Sequence, residues 1–358
     1  MLKKQLLRGT VLLCLWSIAK PAVQAQAEIP YLPSAPTSEF FHRDSIVNLV
    51  SLIQESPPQD FRGLIVIKDD KLVTEEYFHT FWRTSLHDIR SAGKSITGML
   101  MGIAIKQGLV KSVEDPVYDY LDIPPPTVAH KDIKIKHLLS MSAGFDADSD
   151  DGNTPGQAGQ WMGLDDWTAY IQRVPMARKP GKRWVYGDLN SQLVGTIIEN
   201  TSGMSLSEFA KKHLFDPMDV HEYYWQQSKA GSTVASGNLF ITALDFAKLG
   251  WLVLNKGNWR GQQLISEEYI DEMIGKQISI NENYFGVPVD YGYFWYTRTR
   301  EFAGKNITYH YASGNGGNYV MVIPSENMVV ALTSSAYGPY HGHFRSNLIF
   351  QKVMEALK

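Results

Sequence analysis

The stretch IRSAGKSITGMLMGIAIKQGLV, residues 89–110, decides the fold because it places a serine and a lysine one helical turn apart at the start of a buried helix. The segment from Ile96 to Ile105 is apolar on more than one stripe, which predicts a helix covered on nearly every side. Ser91 is a favoured residue for a helix N-terminus, where unpaired backbone N–H groups stabilise developing negative charge. Gly108 is typical of the residue that ends such a helix.

Lys94 follows Ser91 by three residues and therefore lies on the same face of the predicted helix. Serine is a weak nucleophile until a neighbour takes its proton, and a lysine in a dry site can be neutral enough to take it. The Ser-x-x-Lys pattern alone is weak evidence, because roughly one chance match is expected in a chain of this length. A helix cap followed by a surface lysine is the structural alternative, so the assignment depends on the rest of the chain.

The first 25 residues have the three-part layout of a secretory signal peptide. Basic residues come first, an apolar run from Thr10 to Ala19 follows, and small residues lead to a predicted cleavage after Ala25 or, as second choice, Ala27. The apolar run is too short to span a bilayer. We therefore expect a periplasmic or secreted bacterial protein whose mature chain has no membrane span.

Composition and charge exclude several classes of protein. The 358 residues are 44% hydrophobic and 20% charged, which is ordinary for a globular chain. Removing residues 1–25 takes the 34 basic residues to 30, against 37 acidic ones, a formal net charge of −7 that argues against a nucleic-acid partner. Cys14, the only cysteine, falls in the apolar run, so the mature chain would hold no disulfide. The leucines before it are not the small residues expected ahead of a lipidated cysteine.

Hydrophobic periodicity predicts strands at both ends of the chain and helices between them. A helix capped by Asp44 precedes a β-hairpin at 63–78, whose turn falls at residues 69–70. After the Ser91 helix, the predicted helices are 133–145, 164–174, 191–203, 205–215, 242–257 and 266–276, with an exposed polar loop at 147–159. The predicted C-terminal strands are 291–299, 307–313, 317–324 and 328–336, and a last helix covers 343–357.

This order predicts an α+β fold in which one antiparallel sheet, flanked by the terminal helices, carries an inserted all-helical region. The sheet domain would be discontinuous, with residues 28–84 plus 286–358, and the helical domain would hold residues 85–285. We expect the active site in the crevice between the two parts.

Six segments carry a family resemblance, and they are residues 90–108, 115–121, 133–145, 184–203, 241–250 and 311–324. In this order they resemble the serine β-lactamase and penicillin-recognising family, and within it the class C-like branch with family VIII carboxylesterases and 6-aminohexanoate-oligomer hydrolases. The resemblance runs from about residue 44 to the C-terminus. It implies the β-lactamase/transpeptidase-like fold and two-step acyl transfer through a covalent intermediate, with no metal and no organic cofactor.

The resemblance also implies residue roles. Ser91 matches the nucleophile, Lys94 its lysine, and Tyr186 the tyrosine of the Tyr-x-Asn motif, a general acid/base that passes the proton to the leaving group. A core tyrosine is the alternative for Tyr186. The third motif falls on Asn315, Gly316 and Gly317.

In that third motif the glycines would let the strand approach the substrate. The backbone N–H of Asn318, with that of Ser91, would form the oxyanion hole. A glycine-rich hairpin turn is the alternative interpretation of this segment.

Two positions depart from the family pattern. Asn315 stands where a cation would hold the carboxylate of a β-lactam or a D-alanine terminus, which weakens recognition of such substrates. Asp188 replaces the usual asparagine, and its carboxylate either pairs with Lys94, which hinders the lysine as a base, or binds a substrate amine. Both changes favour esters, or amides with a neutral or cationic end, over antibiotics.

Other classes fit the sequence less well. A Ser-His-Asp hydrolase needs a Gly-x-Ser-x-Gly elbow, which does not occur. His341 and His343 suggest a zinc site, but two histidines in a polar loop are usually solvated. The sequence therefore predicts a secreted serine hydrolase acting on a small-molecule ester or amide. A β-lactamase, a D-amino-acid peptidase and a non-catalytic penicillin-binding-like sensor remain alternatives, and the natural substrate and oligomeric state stay open.

Overall fold

The structure is a computed structural model, and it describes residue 29 and residues 31–281, 286–338 and 340–358. The predicted signal peptide, residues 1–25, lies outside the described residues. The strands are β1 (Phe61–Lys68), β2 (Lys71–Tyr77), β3 (Leu86–Asp88), β4 (Tyr223–Trp225), β5 (Leu239–Thr242), β6 (Asn258–Trp259), β7 (Gln262–Gln263), β8 (Ile278–Ile280), β9 (Val289–Tyr291), β10 (Tyr296–Phe302), β11 (Lys305–Gly314), β12 (Asn318–Ile323) and β13 (Met328–Ser334).

The helices are α1 (Thr37–Phe40), α2 (Arg43–Glu55), α3 (Gly93–Lys106), α4 (Ile135–Leu139), α5 (Ala158–Trp161), α6 (Thr168–Ile171), α7 (Asp188–Ser202), α8 (Leu206–Ala210), α9 (Ala243–Leu254), α10 (Glu267–Ile274) and α11 (His341–Glu355). No helix in the described part of the chain combines the length and the apolar character needed to cross a membrane.

One eight-stranded antiparallel sheet joins the two ends of the chain, in the order β2-β1-β13-β12-β11-β10-β9-β8. The N-terminal hairpin enters it through β1, which pairs with β13 so that Leu64 lies opposite Leu332. Its turn uses Asp69 and Asp70 at φ of 50° and 58°, the left-handed pair that a two-residue hairpin turn requires. The predicted antiparallel sheet is confirmed.

The centre of this sheet is covered on both faces. Every residue of β12 and β13 is buried, and both strands are contacted by α9 and by α11, which in turn packs on α2. Gly250 of α9 makes the close approach: a Cβ there would lie 2.4 Å from Val320 and 2.8 Å from Val329. The sequences of these central strands are therefore continuous apolar runs and do not alternate between apolar and polar residues.

The inserted region is built around α3, whose residues are buried from Gly93 to Ala104, as its all-round apolar pattern predicts. It packs on α7 and α10. A second sheet of three short strands, β3-β5-β4, connects this region to the start of the Ser91 segment and was not predicted. β8 belongs to the large sheet although it falls within residues 85–285, the predicted helical domain. The predicted division into a sheet domain, 28–84 plus 286–358, and a helical domain, 85–285, stays a prediction.

Several predicted boundaries were wrong for local backbone reasons. The helix expected over 133–145 ends at Leu139, since Met141 and Gly144 adopt positive φ values of 55° and 89°. The helix expected over 164–174 is the single turn α6. The strand expected over 291–299 is interrupted, because Gly292 packs against the Met273 carbonyl of α10, where a Cβ would lie 2.1 Å away. Asp44 lies in the first turn of α2 and does not cap it.

Burial of His87 in β3 gives the fold a sensitivity to acid. The side chain is fully buried, and neither ring nitrogen has a hydrogen-bond partner among the described residues. Burial, helped by the charge of Arg62, lowers the pKa of His87 from 6.5 to about 3. Because the unfolded chain binds this proton near pH 6.5 and the folded chain does not, stability is lost as the pH falls from 6.5 toward about 3.

His87→Phe should reduce this loss while keeping the ring contact with Phe81, whose centroid lies 5.5 Å away. We expect the free energy of unfolding to fall by roughly 3 kcal/mol less between pH 7 and pH 4.5 in the variant than in the wild type. Urea titrations at both pH values measure this, with the exposed His221→Gln as control. An equal fall in all three proteins would contradict the prediction.

Candidate active site

Ser91 lies in a single 3₁₀ turn, Arg90–Ala92, directly before α3. The expectation that it caps the helix was wrong: Ala92 occupies the cap position and no side chain accepts a capping hydrogen bond. The Ser91 hydroxyl instead accepts a hydrogen bond from Lys94 Nζ at 3.0 Å. The three-residue spacing therefore brings the two side chains together, as the sequence predicts.

Lys94 is almost fully buried, with 2% of its side chain exposed, and its ammonium group has three acceptors. Besides the Ser91 hydroxyl, these are the Ser236 carbonyl at 2.6 Å and Asp188 Oδ1 at 2.6 Å. An ammonium group has three protons to donate, so all of them have acceptors. This arrangement fits a charged lysine.

The environment of Lys94 also favours its charged form. Burial is the largest influence and lowers the pKa of Lys94, but the Asp188 carboxylate and the Tyr186 phenol together outweigh burial and raise it above its usual value. Of the two roles considered for Asp188, pairing with the lysine is the one that the geometry favours. The other oxygen, Asp188 Oδ2, accepts from the Ser149 hydroxyl at 3.4 Å, and a role of Asp188 in binding a substrate amine stays a prediction.

Tyr186 and Asp188 are placed by the start of α7, whose first residue is Asp188. The Tyr186 ring centroid lies 5.0 Å from Lys94 Nζ. Ser149, in the polar loop predicted over 147–159, supports both residues: its N–H donates to the Tyr186 carbonyl at 2.8 Å, and its hydroxyl accepts from the Asp188 N–H at 3.3 Å. Ser149 and the Ser236 carbonyl were missed, because neither belongs to a recognisable sequence pattern.

The end of β11 lies against the turn that holds Ser91. A Cβ at Gly314 would lie 1.9 Å from the Ile89 carbonyl oxygen and 3.1 Å from the Ala92 nitrogen, so only glycine allows this approach. β10 pairs with β11 only as far as Tyr311, which leaves residues 312–314 without a strand partner on that side in the described part of the chain. Gly314 directly precedes the motif that the sequence singled out.

Gly316 and Gly317 approach a different part of the molecule. A Cβ at Gly316 would lie 2.8 Å from the Tyr337 ring, and one at Gly317 would lie 2.3 Å from the Gly342 carbonyl oxygen of α11. The glycines therefore let the β11–β12 turn pack against the start of α11, and the close approach to the Ser91 turn is made by Gly314.

The two asparagines beside these glycines hold the turn in place. Asn318 is fully buried, donating from Nδ2 to the Asn315 carbonyl at 2.9 Å and accepting at Oδ1 from the Ser334 N–H at 3.0 Å. Asn315 is exposed, and its Oδ1 accepts from the Gly338 N–H at 2.8 Å. The expected role of the Asn318 N–H in an oxyanion hole stays a prediction.

A cavity of about 630 Å³ adjoins the site at Tyr186. Its walls carry charges of both signs and apolar side chains, while Ser91 is not among the residues that line it. The lining residues are Asp148, Asp150, Lys182, Arg183, Trp184, Val185, Tyr186, Ile278, Ser279, Ile280 and Asn281. The volume is in the range of pockets that hold small molecules.

The two histidines considered for zinc have separate partners. His341 Nε2 lies 2.9 Å from Asp60 Oδ2, and His343 Nδ1 lies 2.7 Å from the Tyr319 hydroxyl. In the part of the chain that the structure describes, no three His, Cys, Asp or Glu side chains are grouped so that they could hold a metal ion.

Comparison with known proteins identifies the family. The sequence profile described as Beta-lactamase matches residues 53–349, which is most of the chain. The chain belongs to the beta-lactamase family. Members of this family are serine hydrolases that act on small-molecule substrates.

Individual relatives of the family are distant in sequence. An uncharacterised protein of Alkalihalophilus pseudofirmus is 21% identical over 338 residues, covering 84% of this chain and 91% of its own. A family VIII carboxylesterase structure is 16% identical with a TM-score of 0.70, covering 89% of this chain and 98% of its own. A class C beta-lactamase structure is 12% identical with a TM-score of 0.66, covering 88% and 96%. At these identities the structures show a shared fold.

Gly314→Ala should separate β11 from the Ser91 turn. The added methyl group would overlap the Ile89 carbonyl, so the strand end must move by an ångström or more. We expect hydrolytic activity to fall by about a hundredfold, since displacement of reacting groups by about 1 Å costs that much. Gly163→Ala is the control, because a Cβ there meets nothing within 4 Å. Full activity in a folded Gly314→Ala protein would contradict the role of this contact.

Proposed function

We propose that this chain is an exported serine hydrolase that cleaves esters or amides through an acyl-enzyme intermediate. The observation that carries the proposal is the hydrogen bond of 3.0 Å between Lys94 Nζ and the Ser91 hydroxyl, next to the ion pair of the buried Lys94 with the half-buried Asp188. A buried lysine in contact with a serine hydroxyl supplies the parts that covalent acyl transfer requires. Export rests on the predicted signal peptide and is part of the proposal.

In the proposed mechanism Ser91 attacks the substrate carbonyl while Lys94 stays protonated. The ammonium group stabilises negative charge on the attacking oxygen, and Asp188 keeps it charged. Tyr186 takes the proton of Ser91 and passes it to the leaving group. Water then enters with Tyr186 as base and releases the acid, which restores the free Ser91 hydroxyl.

The oxyanion hole is assigned to backbone N–H groups on either side of the nucleophile. The N–H of Ser91 is one donor. Exposure favours Asn315, the residue after Gly314, as the second donor, because Asn318 is fully buried and a buried N–H cannot reach a substrate. The contact of Gly314 with the Ser91 turn supports this assignment, since it places the two segments side by side.

Ser91→Ala should abolish ester hydrolysis. We expect the purified mature protein to hydrolyse short-chain p-nitrophenyl esters, and the variant to lose at least about a thousandfold in kcat/KM. Nitrocefin, assayed in parallel, should be turned over poorly, because no residue of 312–317 provides a cation for the β-lactam carboxylate. The matched control is Ser51→Ala on the exposed surface of α2, which should leave the rates unchanged.

The other outcomes distinguish the alternatives. Rapid nitrocefin turnover would favour a β-lactamase, and cleavage of D-alanine-terminated peptides alone would favour a peptidase. A stable acyl adduct on Ser91 without turnover, detected by mass spectrometry, would favour a sensor. Undiminished ester turnover by the Ser91→Ala protein would rule out Ser91 as the nucleophile.

Asp188→Asn tests whether Lys94 acts in its charged form. Removing the carboxylate takes away a charge that raises the pKa of Lys94, so this pKa should fall. If the charged lysine is required, the alkaline limb of the kcat/KM profile moves to lower pH. If a neutral lysine were the base, the acidic limb would move instead and activity below pH 7 would rise.

The control for this pH profile is Asp165→Asn, which removes a carboxylate from an exposed ion pair with Lys229. Its profile should match the wild type. Thermal unfolding of each protein checks that the buried lysine still folds into place, and an unchanged profile in a folded Asp188→Asn protein would contradict the proposed charge state.

A further inference from the structure

Arg90, the residue directly before the nucleophile, has a conformation and surroundings that the mechanism does not explain. Its φ is 52°, which is uncommon and costly for a residue with a side chain. Its backbone N–H donates to Asp88 Oδ1 at 2.9 Å, and its Nε lies 3.0 Å from Asp88 Oδ2. Asp88 thus fixes both the main chain and the guanidinium of Arg90.

The guanidinium of Arg90 also lies over an aromatic ring. It lies 4.4 Å from the centroid of Tyr337, whose hydroxyl donates to the Asp88 carbonyl at 3.0 Å. The same ring packs against Gly316, and the next residue, Gly338, holds the Asn315 side chain. Arg90 is therefore connected to the turn that carries Asn315, the proposed second oxyanion donor, and residues 312–317 hold no cationic side chain.

Two arginines, Arg62 and Arg90, act electrostatically on the groups around the Ser91 turn. Burial raises the pKa of the Tyr337 phenol, while both Arg62 and Arg90 lower it and Asp88 raises it. The same two arginines act on Asp88, whose pKa is raised by burial. Arg90 is the arginine in contact with Asp88, and 39% of its side chain remains exposed.

We propose that Arg90 binds a negatively charged group of the substrate, a carboxylate above all, and supplies a cation that residues 312–317 lack. This proposal rests on the proposed hydrolase function, since it names the substrate class of that site. A guanidinium held flat by a ring and a carboxylate presents its N–H fork with little loss of freedom, which suits two-point recognition of a carboxylate. The proposal predicts acidic substrates, whereas the sequence favoured esters or amides with a neutral or cationic end.

The test compares an acidic ester with a neutral one of the same length. Mono-p-nitrophenyl glutarate and p-nitrophenyl valerate place the charge on the acyl side, and 3-acetoxybenzoate and 3-acetoxybenzamide place it on the leaving group. In at least one pair the wild type should prefer the acidic ester. Arg90→Gln should lower that preference, as a ratio of kcat/KM values, about tenfold or more, with Arg90→Lys between the two.

Arg173→Gln, which removes an exposed arginine of the helical region, is the control and should leave both ratios unchanged. Equal losses on acidic and neutral esters in Arg90→Gln would mean that Arg90 only supports the Ser91 turn, and would overturn the proposal. An unchanged ratio in both pairs would overturn it as well.

Glutarate binding, measured by calorimetry, separates failure of this inference from failure of the hydrolase proposal. Binding by the wild type that is lost in Arg90→Gln would support the anion site even if no ester were turned over. Absence of glutarate binding together with absence of an acidic preference would overturn the anion site while leaving the hydrolase function intact.

Discussion

The candidate site depends on one buried ion pair, Lys94 with Asp188. Taking a lysine out of water costs several kcal/mol, and a single carboxylate offsets this only when the remaining protons also have acceptors. The Ser91 hydroxyl and the Ser236 carbonyl are those acceptors, and they come from two different segments. An unpaired buried charge is unfavourable, so the ion pair favours one arrangement of α3, α7 and the segment that contains Ser236. This arrangement also positions the nucleophile Ser91.

Close backbone approaches then hold the nucleophile from both sides. Gly314 lets β11 of the large sheet touch the Ser91 turn. Gly237, the residue after Ser236, approaches the same turn so closely that a Cβ would lie 2.9 Å from the Arg90 carbonyl oxygen. These contacts leave little room for the turn to shift. A preorganised nucleophile of this kind does not have to be ordered when substrate binds.

The sequence predicted what depends on periodicity and on short spacing. The all-round apolar pattern of α3, the strands at both ends of the chain and the Ser91 to Lys94 spacing follow from local patterns, and the structure reproduces them. It did not predict that the helix starts after a 3₁₀ turn, that Ser149 supports Asp188, or that Gly314 touches the Ser91 turn. Such contacts join residues far apart in the chain, and no local pattern encodes which glycine will meet which carbonyl.

Different charged residues serve the proposed reaction and the proposed recognition of substrate. At the centre, Lys94 is matched by Asp188, so the ion pair carries no net charge and attracts no particular substrate. Beside the nucleophile, the guanidinium group of Arg90 lies 3.0 Å from Asp88 and 39% of its side chain is exposed, while residues 312–317 hold no cation. A site whose positive charge lies on the residue before the nucleophile would keep its chemistry and change the position of the anion that it accepts. Substrates shaped like β-lactams, with their carboxylate fixed in a rigid ring, would then fit less well than flexible acidic esters or amides.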